Sequence, residues 1–206
     1  MSVNFYHMKK TIFQIILIGI AVVLGYFTYT SIMQPVNFNK EKRAREKVVI
    51  QHLKDIRSAQ FIYKQLNNRY TGSFDTLIRF MDSARIPVVK IIPDPNDTTY
   101  TLTINDTVGY VRVADSLFRG QKNVDYHRID VIPFSEGAKF QMKAGIINKG
   151  GVKVHVFEVK APFSTFLKGM DEQLVVNLSA TKKEQKKYTG LKVGSITEPS
   201  TDGNWE

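Results

Sequence analysis

Residues 12–33 read IFQIILIGIAVVLGYFTYTSIM, and this stretch decides what kind of protein the chain is. No charged side chain occurs anywhere from Thr11 to Asn39. At about 1.5 Å per residue a helix over 12–33 spans roughly 33 Å, which matches a hydrocarbon layer about 30 Å thick. Gln14 is the one strongly polar side chain inside it. Tyr26, Phe27 and Tyr29 cluster near its far end, where amphipathic rings favour the lipid–water boundary.

Lys9 and Lys10 precede the run as the charged region of a signal peptide would. The run is longer than the apolar region of about 7–15 residues typical of such peptides, ends in aromatics and has no Ala-x-Ala-like site after it. The reading is an uncleaved anchor. Orientation stays a fork. Lys40, Lys42, Arg43, Arg45 and Lys47 follow the span closely, and a literal charge count favours a cytoplasmic C-terminal domain. Large downstream domains nonetheless translocate despite such charge, and the acidic Glu41 and Glu46 are interspersed here.

Pro35 is expected to interrupt the chain, with a second helical pattern starting near Lys42. Val49, Leu53, Ile56, Ala59, Tyr63 and Leu66 recur at spacings of three and four, one continuous apolar stripe. Ile50, Phe61 and Ile62 widen it, so the helix is expected to pack on a domain. Residues 40–70 hold nine Lys or Arg against three Asp or Glu, which is +6 of the formal net charge of +10. Three readings compete for that charge: a solvated face beside anionic headgroups, a helix lining an oligomer, and nucleic-acid binding. The last is disfavoured, because no DNA-binding motif or aromatic stacking platform accompanies the basic residues. Asn67 and Asn68 should end the helix, and Ser73 should cap a short one whose inner face is Leu77, Ile78 and Met81.

After Arg85 the period changes to two. Val88 to Ile92 reads as a strand between Pro87 and Pro93. Tyr100, Leu102 and Ile104 alternate, as do Val111 and Val113, with Asn105-Asp106-Thr107 as the expected hairpin turn. Ile129-Asp130-Val131 is a further short candidate. A clearer hairpin joins Phe140, Met142 and Ala144 to Val152, Val154 and Val156 through Asn148-Lys149-Gly150-Gly151. Ser164 is a candidate cap for a brief helix around Phe166 and Leu167. Asp171 is one for a longer helix reaching Lys187, with Val175 and Val176 leaving a strand as the alternative there. The polar tail from Glu198 to Asp202 reads as loose, with Trp205 able to dock.

The 206 residues suffice for one domain plus an appendage. Cysteine is absent, which excludes disulfide scaffolds, cysteine-based metal sites and thiol nucleophiles. His7, His52, His127 and His155 are scattered without a second ligand at helical spacing, and His155, opposite the valine face, reads as a surface residue. Gly150-Gly151 is not followed by the Lys-Ser of a phosphate loop, and no nucleophile elbow occurs. Asp94, Asp97 and Asp106 miss the spacing of a calcium loop. The triplets beginning at Asn96, Asn105 and Asn177 match the glycosylation pattern, which needs a secretory context that nothing in the sequence supports. No catalytic residue, cofactor or metal is assigned.

The layout resembles type IV pilins and the pseudopilins of type II secretion over residues 11–80: an N-terminal apolar helix, a proline near its end, an amphipathic continuation and a small sheet. The nearest local likeness is Leu53-Lys54-Asp55-Ile56-Arg57-Ser58-Ala59-Gln60, followed by Tyr63 and by Asn67-Asn68-Arg69-Tyr70-Thr71-Gly72, similar to the helix end and Asn-x-x-Tyr turn of pseudopilins. Lys10-Thr11-Ile12-Phe13-Gln14 departs from the family, having neither the glycine before its cleavage point nor its glutamate. Tyr188 to Ser195 matches no pilin feature.

These readings predict an α+β protein with an N-terminal transmembrane helix, an amphipathic helix and a mostly antiparallel sheet head. The expected divisions are an anchor over 1–39, a basic amphipathic helix and short helix over 40–85, and a head over 86–206. The expected function is non-enzymatic: a single-pass, pilin-like envelope protein acting in assembly or as a structural component. Val49, Leu53, Ile56, Ala59, Tyr63 and Leu66 would form its assembly or packing face, and Lys40, Lys42, Arg43, Arg45 and Lys47 would face lipid. Its partners would be membrane lipid and other envelope proteins or further copies of itself. The resemblance implies the inner (cytoplasmic) membrane with a periplasmic head. The alternative is a membrane-tethered binding or sensory module whose basic helix contacts anionic lipid or nucleic acid.

Overall fold

The computed structural model describes residues 2–93, 103–120 and 125–206 and is an α+β fold. In chain order the helices are α1 (Ser2–Asn67), α2 (Phe74–Ser83), α3 (Val113–Leu117), α4 (Phe163–Phe166) and α5 (Glu172–Glu184). The strands are β1 (Arg85–Pro93), β2 (Thr103–Arg112), β3 (Gln141–Lys149), β4 (Val152–Pro162) and β5 (Gly190–Gly194). They form two antiparallel sheets, β1-β2 and β3-β4-β5. The chain divides into two compact units, Met1–Ala44 and Arg45–Glu206.

In the first unit α1 is long and apolar enough to cross a membrane. Among its described apolar side chains, Ile15, Ile18, Val22 and Phe27 are each more than 60% exposed. Two hydroxyls in this stretch are satisfied within the helix. The Thr28 hydroxyl donates to the Leu24 carbonyl, and that of Thr30 reaches the carbonyls of Tyr26 and Phe27. Pro35 does not interrupt the chain as expected, because α1 runs straight through it. Proline costs a helix one N–H donor and a ring clash, about 3 kcal/mol, and α1 continues through it as one helix of 66 residues.

The second unit is built around the apolar stripe of α1. Val49, Leu53, Ile56, Ala59 and Tyr63 are buried in one cluster with Leu77 and Met81 of α2, Phe157 and Val159 of β4, and Val193 of β5. The helix stops where the asparagines predict. Asn68 takes a left-handed φ of 55°, its N–H donates to the Lys64 carbonyl, and the Asn67 amide donates to the Tyr63 carbonyl. Ser73 caps α2 by accepting from the Thr76 N–H, and Leu77 and Met81 point inward.

The β3-β4 hairpin forms as read. Lys149 faces Val152 across Gly150-Gly151, and both glycines have positive φ, the condition for a tight two-residue turn. On β4 both sides of the strand are covered near its middle, Val156 being buried as well as Phe157. Val152 is 62% exposed, whereas Phe157, Val159 and Ala161 are fully buried against α1 and its neighbours. His155 shares their side of the strand and is half-buried, which corrects the surface reading. Met142 faces Val159 and Ala144 faces Phe157, so the register selects the larger apolar residues for the core.

Several further details differ from expectation. Asn105-Asp106-Thr107 is not a turn: β2 runs through it, with Asp106 opposite Lys90 and a bulge at Val88/Val89. Pro87 lies inside β1, and Val113 opens α3 and does not continue a strand. Ser164 does not cap α4, whose N-cap is Pro162, two residues earlier. Val175 and Val176 are helical: α5 is capped by Asp171 as expected but stops at Glu184, short of Lys187. Ile129-Asp130-Val131 contributes one bridge, from Val131 to Lys139. Tyr100 and Leu102, and Asp94, Asn96 and Asp97, lie outside the described residues.

The tail is tied down. Gly203 bridges Val193, the Gly194 N–H donates to the Asp202 carbonyl, and the Asn204 N–H donates to the Lys192 carbonyl. The Asn204 side chain accepts from the Lys192 N–H and donates to the Gly190 carbonyl. Ser195 accepts from the N–H groups of Thr197 and Glu198. A polar composition reads as loose, yet here the polar groups stitch the segment onto β5.

Candidate functional site

The expected assembly face is occupied within the chain. Val49, Leu53, Ile56 and Ala59 are fully buried and Tyr63 is 7% exposed, all inside the core, whereas Leu66 is half exposed. Tyr63 meets Phe80 edge-on at 4.9 Å between ring centroids. Binding another chain through these five residues requires opening the core they form.

The expected lipid-facing residues separate. Lys40, Arg43 and Lys47 are exposed, and Lys42 is half-buried. Arg45 does structural work within the second unit. One guanidinium nitrogen donates to the carbonyls of Phe166 at 3.2 Å and Lys168 at 2.8 Å, and the group lies 5.3 Å over the Phe134 ring. A planar guanidinium suits that double contact with the end of α4 better than it suits open solvent.

Sequence reading missed Glu158. It is 5% exposed on the central strand β4, on the side of the strand opposite to Phe157 and Val159. Lys160 approaches one carboxylate oxygen at 2.6 Å and Lys192 the other at 3.4 Å. The pairing register sets Lys160 opposite Lys192, and Lys143 opposite Glu158. Lys160 also lies 5.4 Å over the Tyr188 ring. Burial, with a smaller contribution from the nearby Glu158 charge, pushes the Tyr188 hydroxyl up to about 12, so the ring stays neutral beside its cation. The missing signal was the Glu158-Val159-Lys160 alternation, legible once β5 is known to pair with β4.

Of the histidines, His52 has a buried Nδ1 with no partner among the described residues, and burial lowers its pKa against the opposing pull of Asp55. His127 is exposed, with Nδ1 3.8 Å from Asp82. Among the described residues no group of three His, Asp or Glu is placed to hold a metal. A groove of about 410 Å³ opens beside α5, lined by Leu167, Met170, Val175 and Val176, with the Lys168 ammonium on its rim paired to Glu136.

Comparison with protein-family models, with curated proteins and with solved structures finds no match to this chain.

Proposed function

We propose that this chain is a non-enzymatic, single-pass membrane protein on a pilin-like plan, acting in assembly within the cell envelope, with its head outside the cytoplasm. One observation carries the reading: α1 leaves its large apolar side chains from Phe13 to Ile32 exposed and gives its later turns to the head's core. Exposed apolar surface on this scale costs about 25 cal/mol per Å² in water, and lipid or further helices remove that cost. Because Val49 to Tyr63 are already buried, assembly in this reading runs through the exposed length of α1 and not through the stripe.

The burial of that stripe equally favours the second reading, a monomeric tethered binding module. The absence of cysteine separates the two cleanly. Single cysteines at Ala21 and Gly25, oxidised in native membranes, give cross-linked dimers in the assembly reading and monomers in the tethered one. A cysteine at the exposed Lys153, probed with a membrane-impermeant maleimide, reports the side of the head. Labelling of intact cells supports the envelope reading. Labelling only after lysis overturns it.

A further inference from the structure

Like charges set directly opposite one another across two strands repel, and β4 and β5 set Lys160 against Lys192. Glu158 holds them together, one ammonium to each carboxylate oxygen. Both oxygens are therefore engaged, while Lys143, opposite Glu158 on β3, is exposed and adds a third cation. Two ammonium groups share one carboxylate and a third lysine is set at the facing position on β3, a formal excess of two positive charges on this side of the sheet. Each ammonium has three N–H donors, so Lys160 and Lys192 keep donors beyond those spent on Glu158. They are 29% and 31% exposed, dry enough to strengthen a charge-assisted bond and open enough to admit a ligand. The next position on this face of β3 is Gly145, where a side chain would meet nothing within 4 Å.

We propose that Lys160, Lys192 and Lys143 form a binding site for a phosphate group on the outer face of the β3-β4-β5 sheet. A compact, multiply charged oxyanion matches an excess of two charges and accepts from several ammonium donors at once. Glu158 acts as the internal counter-ion that keeps the lysines in place and competes with the ligand. The site belongs to the second unit and stands whether or not the head assembles.

The test titrates inorganic phosphate into the full chain in uncharged maltoside micelles, following backbone amide shifts by NMR. Saturable shifts centred on Lys160, Lys192 and Gly194 are expected, with Lys192→Gln weakening the Kd about tenfold and exposed Lys143→Gln about threefold. Glu158→Gln removes the competitor and is expected to tighten binding severalfold, an effect a purely structural ion pair does not produce. Should Lys192→Gln fail to fold, the double variant Lys160→Gln with Glu158→Gln removes a cation without stranding a buried carboxylate. A parallel arm replaces phosphate with micelles containing phosphatidic acid. Shifts at the same amides there and none with free phosphate identify a lipid headgroup as the source. Unsaturable shifts equal to those from chloride at matched ionic strength, in both arms, overturn the proposal.

Discussion

The side chain of Gln60 is bonded twice to the backbone of Thr71. Its carbonyl accepts from the Thr71 N–H at 3.1 Å and its amide donates to the Thr71 carbonyl at 2.7 Å. Gln60 is fully buried and Thr71 nearly so. A polar residue on the apolar side of α1 thus closes the turn into α2 and supplies partners for backbone groups that water does not reach. Gln60→Leu keeps the volume and strands both groups, so it is expected to cost about 2–4 kcal/mol. Thermal melts measure the loss, and hydrogen exchange at the Thr71 amide should rise well beyond the global change.

Gly194 has a φ of +73°, and a Cβ there would sit 2.3 Å from the Phe157 carbonyl oxygen. Gly194→Ala must therefore move the central strand, and a loss of about 2–4 kcal/mol is expected. Gly151 has a similar φ of +83° with open space around it. Gly151→Ala should cost about 1–2 kcal/mol, so the difference between the two variants in urea melts isolates the steric part.

Arg45→Ala removes two hydrogen bonds at the end of α4 and the contact over the Phe134 ring, and a loss of about 1–2 kcal/mol is expected. Arg45→Lys keeps the charge without the flat guanidinium face over Phe134 and should recover less than half of that. Equal recovery by lysine in thermal denaturation contradicts the geometric role.

Two groups contribute to the pH dependence of stability. His52 is buried and its pKa lowered, so the unfolded chain takes up the proton first as pH falls through about 6.5. Stability is fully present above that pH and declines below it until the folded-state pKa is reached. His52→Gln should flatten the decline of the urea midpoint between about pH 7 and 5. Tyr188 has the opposite sign of shift for alkali. Stability is fully present below pH 10 and is lost as pH rises to about 12, a loss that Tyr188→Phe should reduce.

Much of this organisation can be read from side-chain order alone, and the exceptions share a cause. The span, the stripe from Val49 to Tyr63, the stop at Asn67 and Asn68, the Ser73 and Asp171 caps and the Gly150-Gly151 turn all depend on near neighbours in sequence. The failures depend on distant ones. Asn105, Asp106 and Thr107 have turn chemistry, but pairing with Val89 to Ile91 holds them extended. The tail is polar, but Lys192 and Gly194 offer its groups a strand to bond with. Glu158 has no complete signal among its near neighbours, because the Lys192 beside it comes from β5. Lipid was assigned to Arg45 because the carbonyls it holds lie more than 120 residues away.

The contact between Arg57 and the tail, at Thr201 and Glu206, has a consequence for synthesis. A sequence separation of 144 residues lies between Arg57 and Thr201, and chains elongate at about 5–20 residues per second. Arg57 therefore waits roughly 7–30 s on the ribosome for the segment that closes over it. During that interval Val49, Leu53 and Ile56 have left the ribosome without β4 or β5 to cover them. The nascent chain is then a sticky apolar helix, and a holdase chaperone or the bilayer surface is the natural shelter for it until the last strand arrives.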